Sequence, residues 1–208
     1  MSAICPTITA YDIETFRSQL ELVSSFAPRI HIDLMDGEFA PTQSPPLHSM
    51  WWSKKIQADL HVMYKRPLDI LPDVLAKHPH LTIIHDEAEH ASSFIHTLHE
   101  HRLRVGIALL PHTSVDVLSH YIQVIDHVLI FSGNLGHHGG TADLSLLDKV
   151  RWIRLQRPSL EIGWDGGISA ENIHELKEAG VTVFNVGGYI HSAESPKHAY
   201  ENLVSLLQ

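Results

Sequence analysis

Short β-rich runs alternate with helical patterns along the whole length of this chain, and that alternation is the strongest constraint on how it folds. The β-rich runs fall near Ala3–Thr9, Arg29–Met35, Ile56–Met63, Leu81–His85, Arg104–Leu109, His127–Ser132, Leu160–Trp164 and Val181–Val186. Between them, Ile13–Ser25, Glu89–His101, Asp143–Leu155 and Ala170–Ala179 space their apolar residues at a helical period, and Ala199–Leu207 closes the chain in the same way. Strands joined by helical crossovers lie parallel in one sheet, and eight such units close into a (β/α)8 TIM barrel, an α/β fold. The 208 residues carry no low-complexity linker or composition break, and their 44% hydrophobic content is enough for a sizeable core. One barrel domain over residues 1–208 is therefore expected.

Charge narrows the partners. Fifteen Lys and Arg against 24 Asp and Glu give a formal net charge of −9, which argues against nucleic acid and against an anionic membrane surface. An anionic ligand must then be held by local groups. The single cysteine, Cys5, excludes an internal disulfide and suits a reducing compartment; in its apolar opening strand it reads as a small core residue. Met1-Ser2-Ala3-Ile4 lacks the basic and apolar regions of a signal peptide, and no apolar run is long enough to span a bilayer, so a cytoplasmic location is expected.

The chemistry concentrates on strand ends. In Ile30-His31-Ile32-Asp33-Leu34-Met35-Asp36-Gly37, the period of two puts His31, Asp33 and Met35 on one face and Ile30, Ile32 and Leu34 on the other. A strand that turns a histidine, a carboxylate and a thioether to one side is shaped for a site rather than for packing. The same device recurs in Asp59-Leu60-His61-Val62-Met63, and a further acid stands in Trp164-Asp165-Gly166-Gly167. The two His and two Asp make a candidate metal cluster, at the barrel end where chemistry collects.

Ten of the twelve glycines lie from Gly133 onward. Gly136 with Gly139-Gly140, then Gly166-Gly167, then Gly187-Gly188 follow the sixth, seventh and eighth strands and would let three loops approach one ligand closely. Barrels recurrently hold phosphate after their last two strands through backbone N–H groups, which answers the shortage of positive charge.

Taken in order, these motifs resemble the ribulose-phosphate 3-epimerase family from Pro6 to about Ile190. Cys5-Pro6-Thr7-Ile8-Thr9 is similar to the family's Pro-Ser-Ile-Leu-Ser opening, His31 through Gly37 to its His-x-Asp-x-Met-Asp-Gly, and Asp59 through Met63 to its Asp-x-His-Leu-Met. Asp165-Gly166-Gly167-Ile168, Ala179-Gly180 and Gly187-Gly188 fit its last strand ends. The resemblance implies one divalent metal ion (Zn, Fe, Mn or Co) held by His31, Asp33, His61 and Asp165, with Asp33 and Asp165 also the catalytic acid/base pair. It implies a phosphosugar bound by Thr9, Met35, Met63 and the glycines Gly136, Gly139, Gly140, Gly166, Gly167, Gly187 and Gly188; a homo-oligomer is expected separately, on the hint of an interface at the apolar pair Trp51-Trp52. Inverting a carbon beside a ketone needs one carboxylate to take the C3 proton from one face and a second acid to return a proton on the other, while a cation steadies the negative charge formed between.

Phe131-Ser132-Gly133-Asn134-Leu135-Gly136-His137-His138-Gly139-Gly140 departs from the family's Met-Thr-Val-x-Pro-Gly-Phe-Gly-Gly-Gln, and His137 and His138 bring imidazoles toward the phosphate region. The leading expectation is conversion of D-ribulose 5-phosphate to D-xylulose 5-phosphate. The alternatives are 3-epimerisation of a hexulose phosphate such as allulose 6-phosphate, and a catalytically silent phosphosugar-binding barrel. Asp59-x-His61 stands where related decarboxylases and hexulose-phosphate synthases use Asp-x-Lys, which argues against their chemistry. Of the 18 histidines, His90, His96, His99 and His101 read as solvated on one polar helix, and His78, His80, His112, His120 and His198 stand near element ends with no ligand geometry; Trp51-Trp52 reads as core or interface, and Asp36 as a turn residue or a neighbour of the site.

Overall fold

Residues 2–208 are described by a computed structural model. Its strands are β1 (Ala3–Ile8), β2 (Arg29–Met35), β3 (Gln57–Met63), β4 (Leu81–His85), β5 (Val105–Leu109), β6 (His127–Phe131), β7 (Glu161–Asp165) and β8 (Val183–Val186). All pair in parallel in sequence order, and β8 returns to β1 to close the barrel. The helices are α1 (Ile13–Ser24), α2 (Leu71–Lys77), α3 (Ala91–Glu100), α4 (Leu147–Gln156), α5 (Ile173–Ala179), α6 (Gly188–His191) and α7 (Pro196–Leu206). Among the described residues, no helix is long and apolar enough to cross a membrane.

The expected boundaries hold to within a few residues. β7 runs one residue further than expected, to Asp165, whose carbonyl accepts from Ser132 N at 2.7 Å. α7 begins at Pro196 rather than Ala199, because Ser195 caps it and proline suits a first helical turn.

Strand alternation splits the core in two. Outward residues such as Ile30, Ile32, Leu34, Trp164 and Phe184 pack under the helices in one large cluster. Inside the barrel, Leu81, Ile83, Ala108 and Leu129 form a small apolar plug of their own. Cys5 is fully buried, as expected, and Asp36 is a turn residue whose carboxylate accepts from the backbone N–H groups of Glu38, Phe39 and Lys65. Trp52 packs against the core, whereas Trp51 stays 45% exposed with its ring edge-on to Phe16.

Below the plug lies an ionic floor. Arg29 forks onto Glu161, with Nη1 to Oε2 at 3.0 Å and Nη2 to Oε1 at 2.8 Å, and its Nε donates to Asp59 Oδ2 at 2.7 Å. His127 Nδ1 lies 3.0 Å from Glu161 Oε1. Burial works to raise the Glu161 carboxyl, but His127 and Arg29 outweigh it and hold Glu161 well below the ordinary glutamate range. Asp59, with one bond to Arg29, is instead pushed up by burial to about 7. The unequal sharing follows from the surroundings, since Glu161 is partly exposed and gathers His127, Arg29 and Arg104, whereas the fully buried Asp59 has a hydrogen bond from Arg29 alone.

Glu161→Gln should therefore cost about 2 kcal/mol at pH 7, the worth of a charged hydrogen bond to a partly buried partner. The sign with pH follows from the depressed carboxyl: its contribution is present above the unfolded glutamate range and is lost as pH falls. Urea midpoints at pH 7, pH 4 and pH 2.5 should show the penalty still largely present at pH 4 and clearly smaller at pH 2.5, because the folded-state carboxyl titrates well below the ordinary range. An equal penalty at pH 7 and pH 2.5 would mean that the Glu161 charge does not hold the floor together.

Candidate active site

Parallel register brings the site residues together at the C-terminal ends of the strands. Asp33 pairs with His61 across β2 and β3, while Asp165 pairs with Phe131 on one side and Asn185 on the other. Inward residues of neighbouring strands thus stand side by side. His61 Nδ1 lies 3.1 Å from Asp33 Oδ1 and 3.8 Å from Asp165 Oδ2. His31 Nε2 lies 3.5 Å from Asp33 Oδ1 and 3.5 Å from Asp165 Oδ2. One donor atom from each of the four residues falls within 4.8 Å of the other three.

Two features of this cluster favour a cation. The His31 ring is fully buried and, among the described residues, neither of its nitrogens completes a hydrogen bond, a state that normally costs about 1–3 kcal/mol per group. The two carboxylates also crowd each other. Burial works to raise Asp33, but the His31 and His61 imidazoles outweigh it and hold Asp33 far below the ordinary range; burial and then the Asp33 charge push Asp165 well above it. A divalent ion would neutralise both acids and give His31 Nε2 a partner. Imidazole and carboxylate together suit Zn, Fe, Mn or Co.

Neighbours fix the orientation of these groups. Thr9 Oγ1 donates to Asp33 Oδ2 at 2.6 Å. His61 Nε2 lies 2.9 Å from Nε2 of His85, the last residue of β4. When His61 donates to His85, its Nδ1 lone pair faces the cluster, the arrangement typical of metal-ligating histidines. Burial, then the His61 ring, lowers the basicity of His85 and favours the neutral acceptor.

A cavity of about 280 Å³ opens above the cluster. Asp33, Asp165, Thr9 and Met63 line it, together with Gly136, Gly139, Gly140, Gly166, Gly167, Gly187 and Gly188, and the lining includes no Lys or Arg. The three glycine loops thus converge on one space. Met35 lies elsewhere: it is fully buried with Ala40, Met63, Phe39 and Leu135 beneath the loop that follows β2, behind the lining. The imidazole of His138 sits at the cavity but spends Nε2 on the carbonyl of Thr9 at 2.6 Å, and His191 Nε2 reaches the Thr7 carbonyl at 2.8 Å, so the loop after β6 and the end of α6 are both tied to the C-terminal end of β1. The cavity also takes in Thr7, Phe131 and Asn185. His85 and Asn185 went unread at the sequence level, although Asn185 is the polar exception in an otherwise apolar strand and His85 shares the inward parity of its strand with Leu81 and Ile83.

An eight-stranded parallel barrel with a mixed imidazole and carboxylate donor set beneath a small-molecule cavity defines the class of α/β-barrel enzymes that work at their strand ends. Residues 3–191 match the ribulose-phosphate 3 epimerase family, and the chain belongs to it. Among its relatives, the ribulose-phosphate 3-epimerase of Treponema pallidum (strain Nichols) is 30% identical over 198 residues, covering 91% of each chain. That of Helicobacter pylori (strain J99) is 29% identical over 214 residues, covering 99% of this chain and 98% of its own. Solved structures share the fold at much lower identity. The 3-hexulose-6-phosphate synthase from Salmonella typhimurium superimposes with a TM-score of 0.74 at 13% identity over 99% and 98% of the two chains, and KGPDC from Streptococcus mutans with 0.72 at 10% over 100% and 97%. Membership of the family makes this an isomerase-class epimerase and supports epimerisation of a pentose phosphate.

Proposed function

We propose that this barrel interconverts D-ribulose 5-phosphate and D-xylulose 5-phosphate by metal-dependent proton transfer at C3. The observation that carries the reading is the convergence of Asp33, Asp165, His31 and His61 beneath a cavity rimmed by glycine loops. Asp33 and Asp165 come from β2 and β7, separate parts of the barrel wall, so each addresses the substrate from its own side. One takes the C3 proton, and the other returns a proton to the opposite face. Thr9 holds the Asp33 carboxylate by its 2.6 Å hydrogen bond. Met63 offers a polarizable apolar wall that keeps water from the reacting carbon. The glycine loops bring backbone close to the phosphate, which suits a cavity lined without Lys or Arg. A divalent ion held by His31, Asp33, His61 and Asp165 would supply electrophilic stabilisation of the charge developing on the ketose oxygens.

The test is proton NMR of metal-replete protein with D-ribulose 5-phosphate in D2O. Loss of the C3 proton together with appearance of xylulose 5-phosphate is expected. Stripping the metal with a chelator should slow this by about 100-fold, with recovery on adding Zn, Fe, Mn or Co. No exchange would overturn the pentulose reading. Exchange with allulose 6-phosphate alone would make the enzyme a hexulose phosphate epimerase, and silence with both would leave a binding barrel.

A further inference from the structure

Asn185 is the middle polar residue of β8, flanked by Phe184 and Val186, which face the outer core. Its side chain points the other way and lines the cavity above the four-donor cluster. Asn185 is 2% exposed, yet among the described residues neither its Oδ1 nor its Nδ2 has a hydrogen-bond partner. Burying a carboxamide without partners is costly, and the cost is removed by a group that both accepts and donates. A hydroxyl does both, accepting from Nδ2 and donating to Oδ1.

Position narrows which hydroxyl. Asn185 pairs in register with Asp165, so it stands at the depth of the acids, and it precedes the loop glycine Gly187 by two residues. Its amide therefore stands between the two carboxylates and the loop glycines Gly187 and Gly188. A carboxamide is also the right polar group beside two carboxylates, because it adds no third negative charge. We propose that Asn185 is a specificity-determining residue that binds the substrate hydroxyl on the carbon next to the epimerised one, on its phosphate side. This rests on the ketose phosphate reading above.

The experiment is a binding cycle by calorimetry on metal-replete protein. D-ribulose 5-phosphate and its 4-deoxy analogue are titrated into the wild type, Asn185→Leu and Asn185→Ala. The wild type should bind the 4-deoxy compound at least about tenfold more weakly. Both variants should lose a similar factor for D-ribulose 5-phosphate and bind the two ligands within about twofold of each other. Asn185→Ala adds no bulk and carries the cycle if the leucine variant does not fold. Persistence of the wild-type discrimination in the variants would overturn the proposal, as would a wild type that binds both ligands equally or neither. Turnover is scored separately: binding discrimination that depends on Asn185 in a protein showing no C3 exchange would sink the epimerase reading and keep Asn185.

Discussion

Asp165→Asn is expected to lower epimerisation of D-ribulose 5-phosphate by about 10,000-fold, the upper range for removing a positioned proton-transfer group, while the barrel stays folded. The amide has the same shape as the acid, so the backbone of β7 and its ladder to β6 and β8 have no reason to move. It also relieves a repulsion. Burial and the neighbouring Asp33 disfavour the ionised form of Asp165, so a neutral group there should leave thermal stability at pH 7 unchanged or slightly raised. Since Asp165 is also a proposed metal ligand, metal content by mass spectrometry must accompany the rates. Isotope exchange separates the two roles. With Asp33 intact, one epimer should still lose its C3 proton to D2O without forming product, while the other stays inert. Equal slowing of exchange for both epimers would assign the effect to metal loss, and retention of more than a tenth of the activity would remove Asp165 from the mechanism.

Much of this site is legible in the sequence because the barrel turns a one-dimensional period into a position. His31 and Asp33 on β2, and His61 on β3, need only the alternation of side chains to face inward, and Asp165 needs only to stand at a strand end beside glycines. Period two says which side a residue faces; it does not say what folds over it. Met35 shares parity with His31 and Asp33, yet the chain after β2 returns so that Ser44 N donates to the Met35 carbonyl at 3.1 Å and Ser44 Oγ accepts from Met35 N at 3.1 Å. The segment so pinned carries Phe39 and Ala40 onto Met35 and separates it from the cavity.

The helices missed in the sequence are the short ones. α6 has only four residues, too few for a 3.6-residue period to declare itself, and α2 has seven, as does α5, which is legible but closes on the glycine Gly180. α2 also ends on His78 in the left-handed region at φ 47°, where glycine would have been the readable stop. Both histidines of the loop after β6 line the cavity, as their residue type suggested, but Nε2 of His138 is taken by the carbonyl of Thr9. A contact between residues 129 positions apart leaves no trace in local pattern.

Two glycine substitutions should divide stability from binding. Gly167→Ala is expected to cost about 4 kcal/mol, combining the penalty of a side chain at positive φ with that of overpacking. Gly167 sits at φ 68°, and a Cβ there would overlap the backbone of Thr141 and Ala142 rather than a side chain that could swing aside. That backbone has little freedom to retreat, because the Asp143 N–H is held by Ser132 Oγ at 2.6 Å just beyond it. Gly187→Ala presents the opposite case. Its φ is −93°, and a Cβ would meet only the Thr7 side chain at an ordinary 3.7 Å, so the cost should stay below about 1 kcal/mol. The new methyl would nevertheless enter the cavity where the three loops converge. If the phosphate rests against the backbone of Gly187, binding of D-ribulose 5-phosphate should weaken by at least about tenfold, comparable to losing a charge-assisted hydrogen bond. Urea midpoints and calorimetric dissociation constants for the two variants check both halves. Unchanged binding in Gly187→Ala would place the phosphate away from the loop after β8, and an unshifted midpoint in Gly167→Ala would show that the Thr141–Asp143 segment yields where its packing says it should not.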